Sequence, residues 1–209
     1  HLREDRRHIQ DTDIEAIHLV TKKFGKPINL EMGTNKEILD IAIASNPDWV
    51  CLVPENRQER TTEGGLNLSD GAVFKRVEQV AQSLRKNSPK TKISLFLESD
   101  SKVISNAIQM KEVIDAVEIH TGHYARDHLN GNQVERYLED YKKAHSVLSA
   151  CGISTHAGHG LTLESVKPLL EMGIFREYNI GHWIICQSIF QGLGTVIKDF
   201  HTLFQQYEC

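Results

Sequence analysis

Apolar residues follow two alternating spacings along this chain. Short, nearly unbroken apolar runs recur at residues 28–32, 49–53, 93–97, 116–120, 153–157 and 177–180. Each ends in Gly, Pro or polar residues, so each reads as a buried strand. Between the runs, apolar positions recur every three or four residues, the helical period. Asp11 caps a helix with Ile14, Ile17 and Val20, stopped by Gly25 and Pro27. Thr34 or Asn35 caps a second with Ile38, Leu39, Ile41 and Ala42. Later helices carry Val73, Val77, Val80 and Leu84, then Val103, Ile104, Ala107 and Ile108, then Val134, Leu138, Tyr141, His145 and Leu148. Thr162 caps one with Val166, Leu169 and Leu170, and the last includes Ile184, Ile185 and Ile189, continuing through Val196, Phe200 and Leu203. One connection, 58–70, is long and polar, the kind that closes over a site.

Strict strand–helix alternation implies parallel strands joined by crossover helices. Six such units follow the opening helix, and His1-Leu2 reads as the tail of one further strand. The predicted class is α/β, a (β/α)8 TIM barrel missing its first strand, first helix and most of its second strand. A whole barrel takes about 250 residues, so the deficit is roughly 40, the same answer that the element count gives. An open doubly wound sheet is the alternative, but no G-x-G-x-x-G follows any strand. No linker or low-complexity stretch divides the chain, so residues 1–209 read as a single domain.

Composition narrows the partners. A net charge of −4 leaves no basic footprint for nucleic acid. No apolar run approaches membrane-spanning length. The four cysteines are far apart and form no C-x-x-C pair, which fits reduced thiols in a cytoplasmic protein. Eleven histidines are many for this length, and their placement matters more than their number.

The first eight residues, HLREDRRH, hold two histidines, three arginines and two carboxylates. They read either as a solvated terminus or as an active-site segment. Barrel active sites lie at the C-terminal ends of the strands. Read in order, those ends carry His1 and Arg3, Glu31, Glu55, Glu98, Glu118 with His120, His159, and His182. Carboxylates within strands are disfavoured, so each needs a buried basic partner or a function. Gly158-His159-Gly160-Leu161-Thr162 and Asn179-Ile180-Gly181-His182 each lead toward a predicted helix, where backbone N–H groups suit a phosphate. Arg3 and His8 suit a second phosphate, while Arg6 and Arg7 read as a solvated face. Neither H-x-H nor H-E-x-x-H occurs, so no metal or other cofactor is predicted.

Taken together, HLREDRRHI, NLEMG, CLVPENRQERTTEGGLN, SLFLESD, VEIHTGHYA, AGHGLT and EYNIGHWII resemble the pyridoxine 5′-phosphate synthase family. They run in order from the first residue nearly to the last helix. The resemblance implies a transferase of vitamin B6 biosynthesis, a β/α barrel forming a homo-octamer. It implies condensation of 3-amino-2-oxopropyl phosphate with 1-deoxy-D-xylulose 5-phosphate into pyridoxine 5′-phosphate, phosphate and water. Acid–base roles would fall on His1, Glu31 and His159, and transition-state stabilisation on Glu118. Contacts to the deoxyxylulose phosphate would fall on Arg3, His8 and Thr61, and those to the aminoketone phosphate on Gly160, Gly181 and His182. The family's first strand carries an N-x-D-H segment followed by an arginine, which nothing here matches. Without that segment part of both binding sites would be missing, so the alternative to a working synthase is an inactive or non-catalytic phosphate-binding form of the same fold.

Overall fold

A computed structural model describes residues 1–55 and 64–207. Among them are six parallel strands, β1 (Asn29–Met32), β2 (Trp49–Leu52), β3 (Lys92–Leu97), β4 (Ala116–His120), β5 (Ser154–Gly158) and β6 (Tyr178–Asn179). They pair in chain order as one sheet. Nine helices lie among these residues: α1 (Asp11–Lys23), α2 (Lys36–Ser45), α3 (Gly71–Asn87), α4 (Ser101–Ile108), α5 (Gly122–Leu129), α6 (Glu135–Ala150), α7 (Lys167–Met172), α8 (His182–Gln191) and α9 (Leu193–Gln205).

The sheet curls. Asn29 Nδ2 on β1 donates to Glu177 Oε1, just before β6, at 3.3 Å, so the first and last strands approach each other. Curling makes the two faces different. Leu30, Met32, Val50, Leu52, Ile93, Leu95, Leu97, Val117 and Ile119 point outward and share one apolar core with the helices. Cys51, Val53 and Phe96 point inward and form a separate small cluster. Apart from these and from Trp49 and Ala116, the inward face is polar. Leu2 N donates to Glu31 O at 3.1 Å, a single ladder bond beside β1 where a further strand was expected.

Caps mark several predicted helix starts. Asn35 Oδ1 accepts from Glu37 N, and the Asp70 and Asp100 carboxylates each accept two N–H groups of α3 and α4. Four expectations need correction. Helix α1 begins at Asp11 rather than after it; Gln10 is the cap, and its N–H donates to Asp13 Oδ2 at 2.7 Å. Only Ile14 of that helix is buried, because Ile17 and Val20 face outward with nothing packed over them. Helix α5 was not anticipated: GHYARDHL is mostly polar and only Tyr124 and Ala125 are buried, so the apolar period is too thin to see. The helix expected from Thr162 starts at Lys167, because Thr162 and Ser165 bond each other's backbone N–H and close a tight turn instead.

Replacing Asp70 by Ala removes both cap bonds to α3 and is expected to cost about 1 kcal/mol. Urea unfolding should show a lower midpoint at unchanged slope.

Candidate active site

The inward face opens at the C-terminal ends of the strands into a cavity of about 650 Å³. His1, His8, Glu31, Glu118, His159, Gly160, Gly181 and His182 line it, with Val53, Phe96, Asn179 and Ile180. Eight of the ten residues predicted for the site therefore share one bowl. Arg3 does not line it; its side chain is buried, with Nε 3.7 Å from Asp5 Oδ1. Thr61 and residues 58–63 of the 58–70 connection lie outside the described residues.

Glu118 is the most deeply set of these groups, 3 % exposed. Register explains its place: it lies between Phe96 of β3 and His156 of β5, on the inward face. Its Oε2 accepts from Asn179 Nδ2 at 2.7 Å and from Cys51 Sγ at 3.5 Å. Burial, and then the charge of nearby Glu31, push its pKa up to about 8. Near neutrality Glu118 is thus a neutral acid, and with Oε2 accepting twice, its proton belongs on Oε1. That oxygen occupies the space where a side chain at Gly158 would begin. Cys51 is fully buried beneath it, and burial with the same two carboxyl groups raises its pKa well above the ordinary thiol value.

His1 sits between two carboxylates. Its Nε2 is 3.2 Å from Glu55 Oε1, and its Nδ1 is 3.6 Å from Glu31 Oε2. Glu55 is fixed in turn, accepting Gly33 N on Oε1 and Glu4 N on Oε2, both at 3.1 Å. A side chain at Gly33 would strike it. The opening segment is therefore bound to the ends of β1 and β2, not frayed.

His159 follows β5 with φ +77°, and Gly160 with φ +75°. Two left-handed residues in succession are unusual, and a non-glycine one costs about 1–3 kcal/mol. Thr121 offsets part of this: its hydroxyl lies 2.7 Å from Gly158 O and 2.8 Å from His159 O. The turn aims the His159 ring into the bowl. Beside it, after β6, Gly181 is the N-cap of α8 and His182 its first residue, so the predicted helix start at an anion site is present there. At Gly160 it is not, since α7 begins seven residues later.

Two residues of the site went unassigned by sequence reasoning. Glu55 was noted only as one of several strand-end carboxylates, and its role as the anchor of His1 depends on a contact 54 positions away. Asn179 was placed in the 177–180 strand and before the Gly181 turn but given no role; its alternation with Tyr178 was the signal that it faces inward. Among the described residues no group of three or more His, Cys, Asp or Glu side chains is arranged to hold a metal ion.

The model of one protein family, described as pyridoxal phosphate biosynthesis protein PdxJ, matches residues 1–206. This chain belongs to that family. A PdxJ-type relative, the pyridoxine 5′-phosphate synthase of Pelobacter propionicus, is 40% identical over 205 residues, covering 98% of this chain and 82% of that protein. The pyridoxine 5′-phosphate synthase of a Sulfurihydrogenibium species is 39% identical over 198 residues, covering 95% of this chain and 78% of that one. In fold, the PdxJ-family chain is similar to the crystal structure of an HpcH/HpaI aldolase from Desulfitobacterium hafniense. That match has a TM-score of 0.53 and 16% identity, and it covers 92% of this chain and 81% of the aldolase. It concerns architecture alone, a curled α/β sheet of the TIM-barrel kind.

The Glu118 shift carries a stability signature. A carboxyl with pKa about 8 when folded and near 4.5 otherwise favours the folded state fully below 4.5. That contribution fades as pH rises toward the folded value. Wild type should therefore lose stability relative to Glu118→Gln between about pH 5 and about pH 9. Urea unfolding of both proteins across that range tests it, and a constant difference would contradict the buried neutral acid.

Proposed function

We propose that this chain is a pyridoxine 5′-phosphate synthase, joining 3-amino-2-oxopropyl phosphate to 1-deoxy-D-xylulose 5-phosphate and releasing phosphate and water. The observation that carries the reading is the arrangement of the bowl: a neutral carboxyl at Glu118, a second carboxyl at Glu31 beside His1, and His159 opposite. Membership of the PdxJ family, and relatives bearing the synthase name, support the same reading.

The chemistry asks for such a set. An amine adds to a ketone, water and phosphate leave, and an aldol-type closure forms the aromatic ring, so protons move at each stage. Two carboxyl groups in unlike environments divide acid from base work. Glu118, neutral and dry, donates a hydrogen bond to an oxygen that gains negative charge. Glu31, His1 and His159 take and return protons as general bases and acids. Glu55 acts through His1, fixing its ring. For the phosphates, Gly160, Gly181 and His182 would hold the aminoketone end, and His8 with Arg3 and Thr61 the deoxyxylulose end. The exposed His8 and His182 and the α8 N-terminus support this division, since both face the open mouth.

In this reading the strands belong to an eight-stranded barrel of one domain. The curl of the six parallel strands and a main core running from Leu2 to Leu203 support it. Assembly with further copies is supported by an exposed apolar stripe, Ile185, Ile189, Phe190, Leu193 and Ile197, on α8 and α9. No described helix is long and apolar enough to cross a membrane. Cys51, Cys151 and Cys186 are free thiols, which suits the reducing cytoplasm.

Purified protein given both phosphorylated substrates should accumulate a pyridine product, read by its near-ultraviolet absorbance. Glu31→Gln and His159→Asn should each lower kcat by roughly 10² or more at saturating substrate. Full turnover in both variants would remove the acid–base assignment.

A further inference from the structure

A second cavity, of about 540 Å³, lies behind the wall of the bowl, with residues of α4 and α6 among its lining. Glu98, His120 and His123 form its inner side. His120 stands between the two spaces. It lines the second cavity, and its ring centroid is 5.0 Å from that of His159, which lines the bowl. The two rings face each other because residue 122 has no side chain: a Cβ there would come within 2.6 Å of His120 Nε2 and 2.8 Å of His159 Cδ2. On its other edge, His120 Nδ1 is 2.7 Å from Glu98 Oε1. The same Glu98 oxygen accepts Gly65 N at 3.2 Å, and Phe96 packs on the His120 ring at 5.3 Å. Imidazole edge, imidazole ring and carboxylate thus lie in sequence from the bowl to the second cavity.

We infer that His120 and Glu98 relay protons between His159 and water in the second cavity. The inference rests on His159 working as an acid–base group. A bowl filled by two phosphorylated substrates leaves His159 little direct access to solvent, and a reaction with many proton transfers needs that histidine restored. One proton moves outward at a time. His159 gives it to His120 Nε2, and the His120 imidazolium, paired with the Glu98 carboxylate, releases its Nδ1 proton through Glu98 to water. No electrons change hands, and the same steps in reverse return a proton to His159. Burial raises the Glu98 pKa, but the hydrogen bond and charge of His120, with the Gly65 N–H, outweigh it and hold the carboxyl below its ordinary value. His120 and Glu98 are relay residues; neither touches substrate in this scheme.

The test uses kcat, KM and rescue together. His120→Gln and His120→Ala should lower kcat by roughly tenfold to a hundredfold while leaving KM for both substrates within about twofold. Imidazole added to His120→Ala, entering from the second cavity, should restore part of the rate. It should not accelerate wild type or His159→Asn. Glu98→Gln, at a half-exposed position that tolerates replacement, should also lower kcat and raise the solvent deuterium isotope effect. Full kcat in folded His120→Gln, a His120→Ala rate unmoved by imidazole, or full kcat in Glu98→Gln would each overturn the relay. Loss of turnover in His159→Asn beside unimpaired His120 variants would leave the acid–base reading standing and the relay refuted. Full turnover in His159→Asn would instead refute both.

Discussion

Period-two alternation in a curled parallel sheet is the constraint on which everything else depends. The curl gives the two faces different neighbours. One meets helices and must be apolar, as Leu30, Val50, Leu95 and Ile119 are. The other meets only itself and the open bowl, so it can hold Glu31, Cys51, Glu118, His120, His156 and Asn179. A slip of one residue in any strand would exchange these sets. It would place a carboxyl in the helix-packed core and a leucine in the bowl. Placement of the site and stability of the fold are therefore set by one choice of register.

Burying Glu118 on that inner face is costly unless it is neutral and bonded. Both conditions are met, by its retained proton and by Asn179 and Cys51. Strand β1, which is not paired with β4, supplies Glu31, whose charge disfavours a second charge nearby. Electrostatics thus differentiates two identical functional groups. His1, fixed by Glu55, and His159, fixed by a strained turn that Thr121 braces, complete a set held by backbone geometry more than by side-chain contacts between catalytic groups.

Much of this was legible in the sequence because strands bounded by turn residues leave a clear signal, and because strand ends in such folds point to one rim. The six strands and the rim residues His1, Glu31, Glu118 and His159 followed from pattern and motif. What stayed hidden depends on long-range contact or on weak local signals. Asn179 lay in a predicted strand, but its bond to Glu118, 61 positions away, leaves no local mark. Helix α5 buries only two side chains, too few to write a period. Thr162 carried a capping signature, but Ser165 uses it to close a turn, so the helix starts later. Ile17 and Val20 kept the helical spacing of a buried face while facing outward, since spacing reports amphipathicity and not what covers it.

Gly158 shows how far the site reaches into ordinary sequence. Its φ is not in the left-handed region, and it sits within a regular strand. By backbone criteria it is a natural place for alanine, a replacement that elsewhere stiffens the unfolded chain at no loss. Here the volume a methyl group needs is already filled by the Glu118 carboxyl. Glycine and glutamate divide one side chain's worth of space between two strands, so they can drift only as a pair. Thermostabilisation that scores each position by itself would choose this glycine early, and would damage the enzyme without touching any residue that its chemistry names.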